Sequence, residues 1–180
     1  ADLFEPATLK AKLEFAVGEK NHLLKNLYGT EGTDPVALAQ ELLELARELA
    51  PYRCRDTSLH VAKILGEGGR VVFEGAQGTM LDNLHGTYPF VTSSSTVAGS
   101  ACTGTGLGPS QLGGVTGVFK AYTTRVGTGP FPTELNNEIG EKLRAEGHEF
   151  GATTGRPRRC GWLDLVALRY SIRVNGITSL

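Results

Sequence analysis

Cysteine, net charge and long apolar runs are all scarce in this 180-residue sequence, and each shortage excludes a class of protein. The three cysteines, Cys54, Cys102 and Cys160, include no CxxC pair, which argues against a disulfide framework and a cysteine zinc site. No apolar run is long enough to span a bilayer, and the N-terminus lacks a signal-peptide pattern. The formal net charge of −1 argues against a dedicated nucleic-acid binder. We therefore expect a cytoplasmic protein that binds neither membranes nor nucleic acid.

Glycine, by contrast, is abundant. There are 24 glycines, most of them after Gly66, in a chain whose apolar content of 40% and charged content of 21% are typical of globular proteins. The length suits one domain with a substantial core. So many glycines in such a domain indicate tight turns, or main chain that lies directly against a ligand.

The first part of the chain, residues 1–66, is predicted to be helical. Apolar residues recur there at helical spacing, and each helix has a recognisable start or stop, such as the Asp34-Pro35 pair or the glycines from Gly66 onward. The predicted helices cover about 6–27, 35–49 and 57–65.

Strands are predicted after Gly69, where the composition changes, with two more helices between and after them. The predicted strands are 70–74, 88–92, 115–126 and the beginning of one at 177–180. The predicted helices are one capped by Thr133 that closes at Gly147, and one from Leu163 to Val174. The predicted fold class is therefore α/β, a partial mixed or parallel sheet with flanking helices.

The most informative stretch is Gly151–Trp162, in which three arginines, two threonines and three glycines fall within twelve residues. Guanidinium groups match the geometry of phosphate and carboxylate, and glycine lets the main chain approach a ligand. This pattern predicts recognition of a small polyanion. A solvated basic turn is the alternative for an arginine cluster taken alone.

Two further segments carry polar groups suited to a nucleotide. Gln77 stands in a glycine turn directly after a predicted strand, where α/β proteins place their sites, but no lysine-serine or lysine-threonine pair makes it a Walker A loop. Its amide could bind the edge of a base, although a plain turn fits equally well. The five consecutive hydroxyl residues at 92–96 could donate to phosphate oxygens, or form a Ser/Thr linker.

Five motifs in this order resemble those of the adenylosuccinate synthetase family, and the resemblance extends over essentially the whole chain. It is weak over residues 1–66 and strong from Val71 onward. The motifs are FEGAQGT at 73–79, HGTYPFVTSS at 85–94, KAYTTRVG at 120–127, GPFPTE at 129–134 and TTGRPRR at 153–159.

The resemblance implies an enzyme of AMP biosynthesis, a ligase that joins inosine monophosphate (IMP) to L-aspartate. In that family GTP phosphorylates the 6-oxygen of IMP, magnesium is required, and the enzyme is a cytoplasmic homodimer. The implied fold is similar to that of P-loop NTPases.

The resemblance also implies roles for individual residues, which we list by ligand. Implied for IMP are Gln77, Thr92 and Arg156. Implied for aspartate are Val126, Ala152, Thr153, Thr154, Gly155, Arg156 and Arg158. Arg158 is also implied for GTP binding.

Other parts of the family pattern do not occur in this sequence. The glycine-rich phosphate loop with its catalytic aspartate, the catalytic histidine and the guanine-reading motif all have no counterpart here. We therefore predict the central portion of such an enzyme, with a helical segment at 1–66 and a substrate-binding α/β segment at 67–180. No catalytic residue or metal ligand is assigned, and the chain alone is expected to be inactive, with exposed sheet edges that favour self-association.

Two alternatives come from other functional classes. The chain could be a stand-alone nucleotide-binding module that lacks catalysis. It could also be an RNA-binding protein that uses the arginines of the 151–162 stretch, but it lacks a basic charge balance and an aromatic stacking platform.

Overall fold

The structure, a computed structural model, describes residues 1–153 and 155–180. It contains two compact units, Ala1–Arg55 and Asp56–Leu180. The boundary lies before the third helix of the segment predicted as helical, so that helix is part of the second unit.

The first unit is a helix pair, α1 (Pro6–Asn26) and α2 (Pro35–Leu49), flanked by short 3₁₀ turns. Pro35 occupies the first turn of α2, and the Asp34 carboxylate accepts a hydrogen bond from the Val36 amide at 2.9 Å. Such a cap satisfies one of the amides that a helix start leaves without a partner. The buried residues of the pair are Leu9, Ala39 and Ala46. Both predicted helices are confirmed.

The described residues of the second unit form four α-helices: α3 (Thr57–Gly66), α4 (Ser100–Thr105), α5 (Glu138–Glu146) and α6 (Leu165–Asn175). Asp56 caps α3 and Asp164 caps α6, each through a carboxylate that accepts a main-chain amide. Gly176, at φ 61°, ends α6 in the left-handed conformation that glycine adopts without strain. The predicted helices at α3 and α6 are confirmed to within two residues at each end.

The start of α5 differs from the prediction, because Asn137 caps it instead of Thr133. The Asn137 side chain accepts hydrogen bonds from the amides of Ile139 and Gly140. The Thr133 hydroxyl instead donates to the Trp162 carbonyl at 2.7 Å, and the Trp162 amide donates back to the Thr133 carbonyl at 3.0 Å. Thr133 is thus bound to a distant part of the chain, a contact that a local capping pattern does not reveal.

In the part of the chain that the structure describes, the sheet consists of two antiparallel strands, β1 (Tyr122–Arg125) and β2 (Arg159–Trp162). A single bridge between Glu134 and Gly161 extends the β2 side, and a parallel bridge joins Thr116 to Ser179. Gly161 permits this close approach, since a Cβ there would collide with the Thr133 carbonyl oxygen. The mixed helices and small sheet are compatible with the predicted α/β class.

The predicted sheet was larger than the observed one. Residues 70–74 and 88–92 form no strand, the 115–126 strand shortens to β1, and the 177–180 segment contributes a bridge only. Val72 is 91% exposed and Val118 is 96% exposed. A β-strand requires the main chain of a neighbour, and the described residues supply none beside Val72. The 88–92 segment turns instead, with the Phe90 amide donating to the Thr87 carbonyl at 2.8 Å.

Candidate substrate-binding site

We define the arginine loop as residues 151–158. The two ends of this loop lie next to each other in the second unit. The Arg158 amide donates to the Glu149 carbonyl at 2.9 Å, and Phe150 forms an antiparallel bridge with Pro157. Inside the loop, the Gly151 amide donates to the Arg156 carbonyl at 2.9 Å, and the Gly155 amide donates to the Gly151 carbonyl at 2.8 Å. Contacts on both sides of position 154 therefore join the two ends of the loop, and Arg158 leads directly into β2.

A buried carboxylate lies at the base of the arginine loop. The side chain of Glu149 is only 3% exposed, and it accepts hydrogen bonds from Arg158 Nη1 at 2.8 Å, Tyr122 Oη at 2.6 Å and Lys120 Nζ at 2.5 Å. Burial would raise the pKa of Glu149, but the hydrogen bonds from these three side chains outweigh it and lower the pKa to about 2. The hydrogen bond to Glu149 in turn raises the pKa of Tyr122 to about 12. Glu149 is therefore an ionised group at neutral pH.

Arg159, the third arginine of the sequence cluster, is half-buried and bound to oxygen atoms of the protein itself. Its guanidinium contacts both carboxylate oxygens of Glu134 and donates to the carbonyl oxygens of Gly127 and Gly129 at 3.1 and 2.9 Å. It also lies 5.4 Å from the centre of the Phe131 ring. Arg159 thus stabilises the turn that follows β1.

A second arginine, Arg125, connects the turn after β1 to the turn at residues 87–90. Arg125 Nη2 donates to the Thr87 hydroxyl at 3.0 Å and to the Phe90 carbonyl at 2.9 Å, while its Nε donates to the Thr128 carbonyl at 3.1 Å. Val126 follows directly and is 57% exposed. Val126 therefore lies on a turn that two arginines hold in place.

The hydroxyl run is anchored by Asp82, which is 1% exposed. Its carboxylate accepts four main-chain hydrogen bonds, from residues 84, 85, 96 and 97. Burial would raise the pKa of Asp82, but these four amides lower it to about 2. Thr92 is fixed by its amide and hydroxyl, which donate to the Leu81 carbonyl at 2.8 and 3.2 Å. The hydroxyl run is therefore an ordered segment of the unit, which argues against a simple linker.

Gln77 has an unusual main-chain conformation for its residue type. Its φ is 63°, in the left-handed region that non-glycine residues rarely adopt, and its side chain is exposed. Such strain occurs most often at functional sites, where the surrounding structure maintains it. The neighbouring Gly78 carbonyl accepts a hydrogen bond from the Thr96 hydroxyl at 2.8 Å, which places the glycine turn beside the end of the hydroxyl run.

The contacts described above join some of the segments that carry predicted site residues. The glycine turn contacts the hydroxyl run, the 87–90 turn contacts Arg125, and Arg125 pairs with Arg159 across the sheet. Exposed among the predicted residues are Gln77, Val126, Ala152, Thr153, Gly155 and Arg156, while Thr92 and Arg158 are half-buried. Thr154 lies outside the described residues. The side chains of Thr92 and Arg158 bond to groups outside the predicted set, Thr92 to the Leu81 carbonyl and Arg158 to Glu149.

Glu149, Asp82 and Glu134 organise this region, and the sequence analysis assigned none of them a role. One signal was available, because Glu149 stands next to an arginine-rich loop. Within residues 1–153 and 155–180, no three His, Cys, Asp or Glu side chains are grouped to hold a metal ion. In the same part of the chain, no helix has the length and apolar character that crossing a bilayer requires.

Comparison with known proteins identifies the family. The family model for adenylosuccinate synthetase matches residues 1–180. The chain belongs to the adenylosuccinate synthetase family. It is 65% identical over 179 residues to the adenylosuccinate synthetase of Bdellovibrio bacteriovorus, an alignment that covers 99% of this chain and 41% of that protein. It is 56% identical over 179 residues to the enzyme of Desulfovibrio desulfuricans, with 99% and 42% covered. The family predicted from the motifs is confirmed.

A solved structure agrees with this assignment. The fully ligated adenylosuccinate synthetase of Plasmodium falciparum is 39% identical and superimposes with a TM-score of 0.84, over 98% of this chain and 40% of that one. The chain thus spans about two fifths of the length of the curated adenylosuccinate synthetases that it matches, 41% and 42% for the two relatives above. It is a fragment relative to those family members.

Proposed function

We propose that this chain supplies the IMP- and aspartate-binding part of an adenylosuccinate synthetase, the GTP-dependent ligase of AMP biosynthesis. The observation that supports this most directly is the arginine loop, held at its base by Glu149 and continuous with β2. Family membership supports the reaction, and the loop supplies the groups that an anionic substrate needs.

The roles assigned to the arginine loop follow from the chemistry of aspartate. Its two carboxylates suit guanidinium groups, and Arg156 and Arg158 lie on the loop with a glycine before them. The exposed Val126 lies on the turn after β1 and would line the aspartate pocket. The remaining loop residues proposed for aspartate are Ala152, Thr153, Thr154 and Gly155.

IMP is assigned to Gln77, Thr92 and Arg156. Gln77 offers an amide that can both donate to and accept from a purine edge, and the residue is exposed, with a strained main chain of the kind that clusters at functional sites. Thr92 and the hydroxyls after it can donate to phosphate oxygens from a segment that Asp82 holds in place. Arg158, on the loop, is proposed to reach GTP as well.

In this proposal the chain binds and orients substrates without performing the proton or phosphoryl transfer. GTP would phosphorylate the 6-oxygen of IMP, and the aspartate amine would then displace that phosphate. No residue here is assigned as the base, and we propose that the chain alone is inactive. Magnesium belongs to the family reaction, but the described residues offer no carboxylate cluster for it, and we derive no step through it. The P-loop-like fold without its N-terminal phosphate loop, the homodimer and the cytoplasmic location are part of the same proposal.

Calorimetric titration of IMP into the 180-residue protein tests the binding part of the proposal. We expect saturable binding that Arg156→Ala weakens at least about tenfold, the scale of one charge-assisted hydrogen bond. Arg169→Ala is the matched control, because Arg169 is an exposed arginine on α6 outside the site. Failure of the folded wild-type chain to bind IMP, or equal weakening by both variants, would contradict the assignment.

A further inference from the structure

We infer that Glu149 is a positioning residue that fixes the arginine loop and aims Arg158 at the substrate. The inference rests on the proposed function for the identity of the substrate. Its structural part, the control of the loop conformation, stands on the contacts around Glu149 alone.

Glu149 holds the arginine loop at two levels. Its main-chain carbonyl accepts the Arg158 amide at 2.9 Å, and its carboxylate accepts Arg158 Nη1 at 2.8 Å. The same residue therefore fixes both the backbone and the side-chain direction at the end of the loop. Arg158 Nε is buried and has no acceptor within the described residues, so it does not help to orient the Arg158 side chain.

The carboxylate also joins the loop to β1 and the segment before it. Lys120 and Tyr122 donate to the oxygen Oε1, while Arg158 donates to Oε2. The two oxygens thus bind different partners, and the loop end cannot shift without breaking the ion pair between Arg158 and the buried Glu149 carboxylate. Lys120 is 43% exposed and also donates to the Thr124 hydroxyl at 3.0 Å, which anchors it to β1.

A negative charge beside a loop that binds anions requires an explanation. Through space, the Glu149 carboxylate repels an incoming dicarboxylate, so its charge by itself opposes binding. Lys120 and Arg158 more than neutralise it locally, which leaves one net positive charge for the ligand. We therefore attribute the value of Glu149 to orientation, since an arginine held in the binding geometry loses less conformational entropy when it binds.

The two roles predict opposite effects of Glu149→Gln on aspartate binding. Removal of a repelling charge would strengthen binding of L-aspartate, whereas loss of orientation would weaken it. Glu146→Gln is the matched control, because Glu146 is exposed in the last turn of α5 and its change removes the same charge. Glu149→Asp keeps the charge but shortens the side chain by one methylene, so it should bind L-aspartate with an affinity between those of wild type and Glu149→Gln.

The first measurement is amide hydrogen exchange on the 180-residue chain, followed by NMR or mass spectrometry. In Glu149→Gln we expect exchange of the Gly151, Gly155 and Arg158 amides to accelerate at least about tenfold, because the loop opens locally. Amides of α1 and α2 should keep their wild-type rates, as should all amides of Glu146→Gln. Unchanged exchange in the loop would overturn the inference.

The second measurement is steady-state kinetics in a chimaera, in which these 180 residues replace the matching segment of the Bdellovibrio bacteriovorus relative. We expect Glu149→Gln to raise KM for L-aspartate about tenfold and to lower kcat by less than about threefold, because an orientation defect acts on binding. A variant that only loses folded protein would lower kcat and leave KM unchanged. That result, or a lower KM for aspartate, would overturn the inference. If the chimaera with the wild-type sequence is inactive, the proposed function fails, and hydrogen exchange alone decides the role of Glu149 in the loop.

Discussion

Arg159 and Glu134 form a two-point ion pair, with Nε 2.7 Å from Oε1 and Nη2 2.5 Å from Oε2. The hydrogen bonds from Arg159 lower the pKa of Glu134, and those to Glu134 raise the pKa of Arg159. The pair joins the start of β2 to the segment before α5, and the remaining donors of Arg159 hold the turn that carries Val126. An arginine beside the substrate loop therefore has a structural task, because its guanidinium donates four hydrogen bonds to protein oxygens.

Arg159→Lys should destabilise the protein, since a lysine ammonium cannot reproduce two parallel hydrogen bonds and also reach two carbonyl oxygens. We expect the free energy of unfolding to fall by about 2 kcal/mol, the scale of lost charge-assisted hydrogen bonds in a partly buried site. Urea unfolding followed by circular dichroism measures it. Arg169→Lys, an exposed position on α6, should change stability by less than about 0.5 kcal/mol. Equal effects of the two substitutions would contradict the structural role of Arg159.

Stability should fall in acid because of Asp82, whose pKa lies at about 2, below the usual value of 3.8. A carboxyl whose pKa is lowered by folding contributes stability above its unfolded pKa and loses it as the pH falls through the folded one. The stabilisation should therefore decline between about pH 4 and pH 2. Asp82→Asn should lower the free energy of unfolding by about 2 kcal/mol at neutral pH. The neutral side chain is a weaker acceptor for the four main-chain amides than the buried carboxylate is.

Urea unfolding at several pH values tests the Asp82 prediction. The difference in unfolding free energy between wild type and Asp82→Asn should narrow as the pH approaches 2. Part of the acid sensitivity should persist in the variant, because Glu149 also has its pKa lowered to about 2. A difference that stays constant from neutral pH to about pH 2 would show that the ionised Asp82 is not the stabilising form.

The helices could be predicted from residues close to their ends. The features that were missed depend on contacts between residues far apart in the sequence. Asp34 and Asp56 cap helices two or three residues away, so the sequence alone reveals both starts. The strands predicted at 70–74 and 88–92 were wrong, since a strand depends on a hydrogen-bonded neighbour that the local sequence does not reveal. The role of Glu149 could not be read from spacing, because its partners Lys120 and Tyr122 lie 29 and 27 residues away.

Exposed valines at unpaired positions should promote self-association of the chain. Val72 is 91% exposed and Val118 is 96% exposed, and both lie in segments where the sequence predicts strands. A charge at such an edge opposes pairing with another copy. The double substitution Val72→Lys and Val118→Lys should therefore lower the weight-average mass in sedimentation velocity at high protein concentration. Leu59→Lys, on the exposed face of α3, is the control and should not lower it. An unchanged mass in the double variant would place the association elsewhere.

The substitution Gln77→Gly distinguishes the effect of backbone strain on stability from the effect of the side chain on IMP binding. Gln77 has a φ of 63°, which glycine adopts without strain. Relief of the left-handed conformation, about 1 kcal/mol, is partly offset by the extra freedom of glycine in the unfolded chain, so stability should stay equal or rise by up to about 1 kcal/mol. Affinity for IMP in calorimetry should nevertheless fall about tenfold, because the amide is lost. His148→Gly is the matched control, since His148 has a φ of 50° and is also exposed. It should change stability similarly and leave IMP affinity unaltered. A Gln77→Gly variant that binds IMP as well as wild type would remove Gln77 from the IMP site and leave its strained backbone without a functional reason.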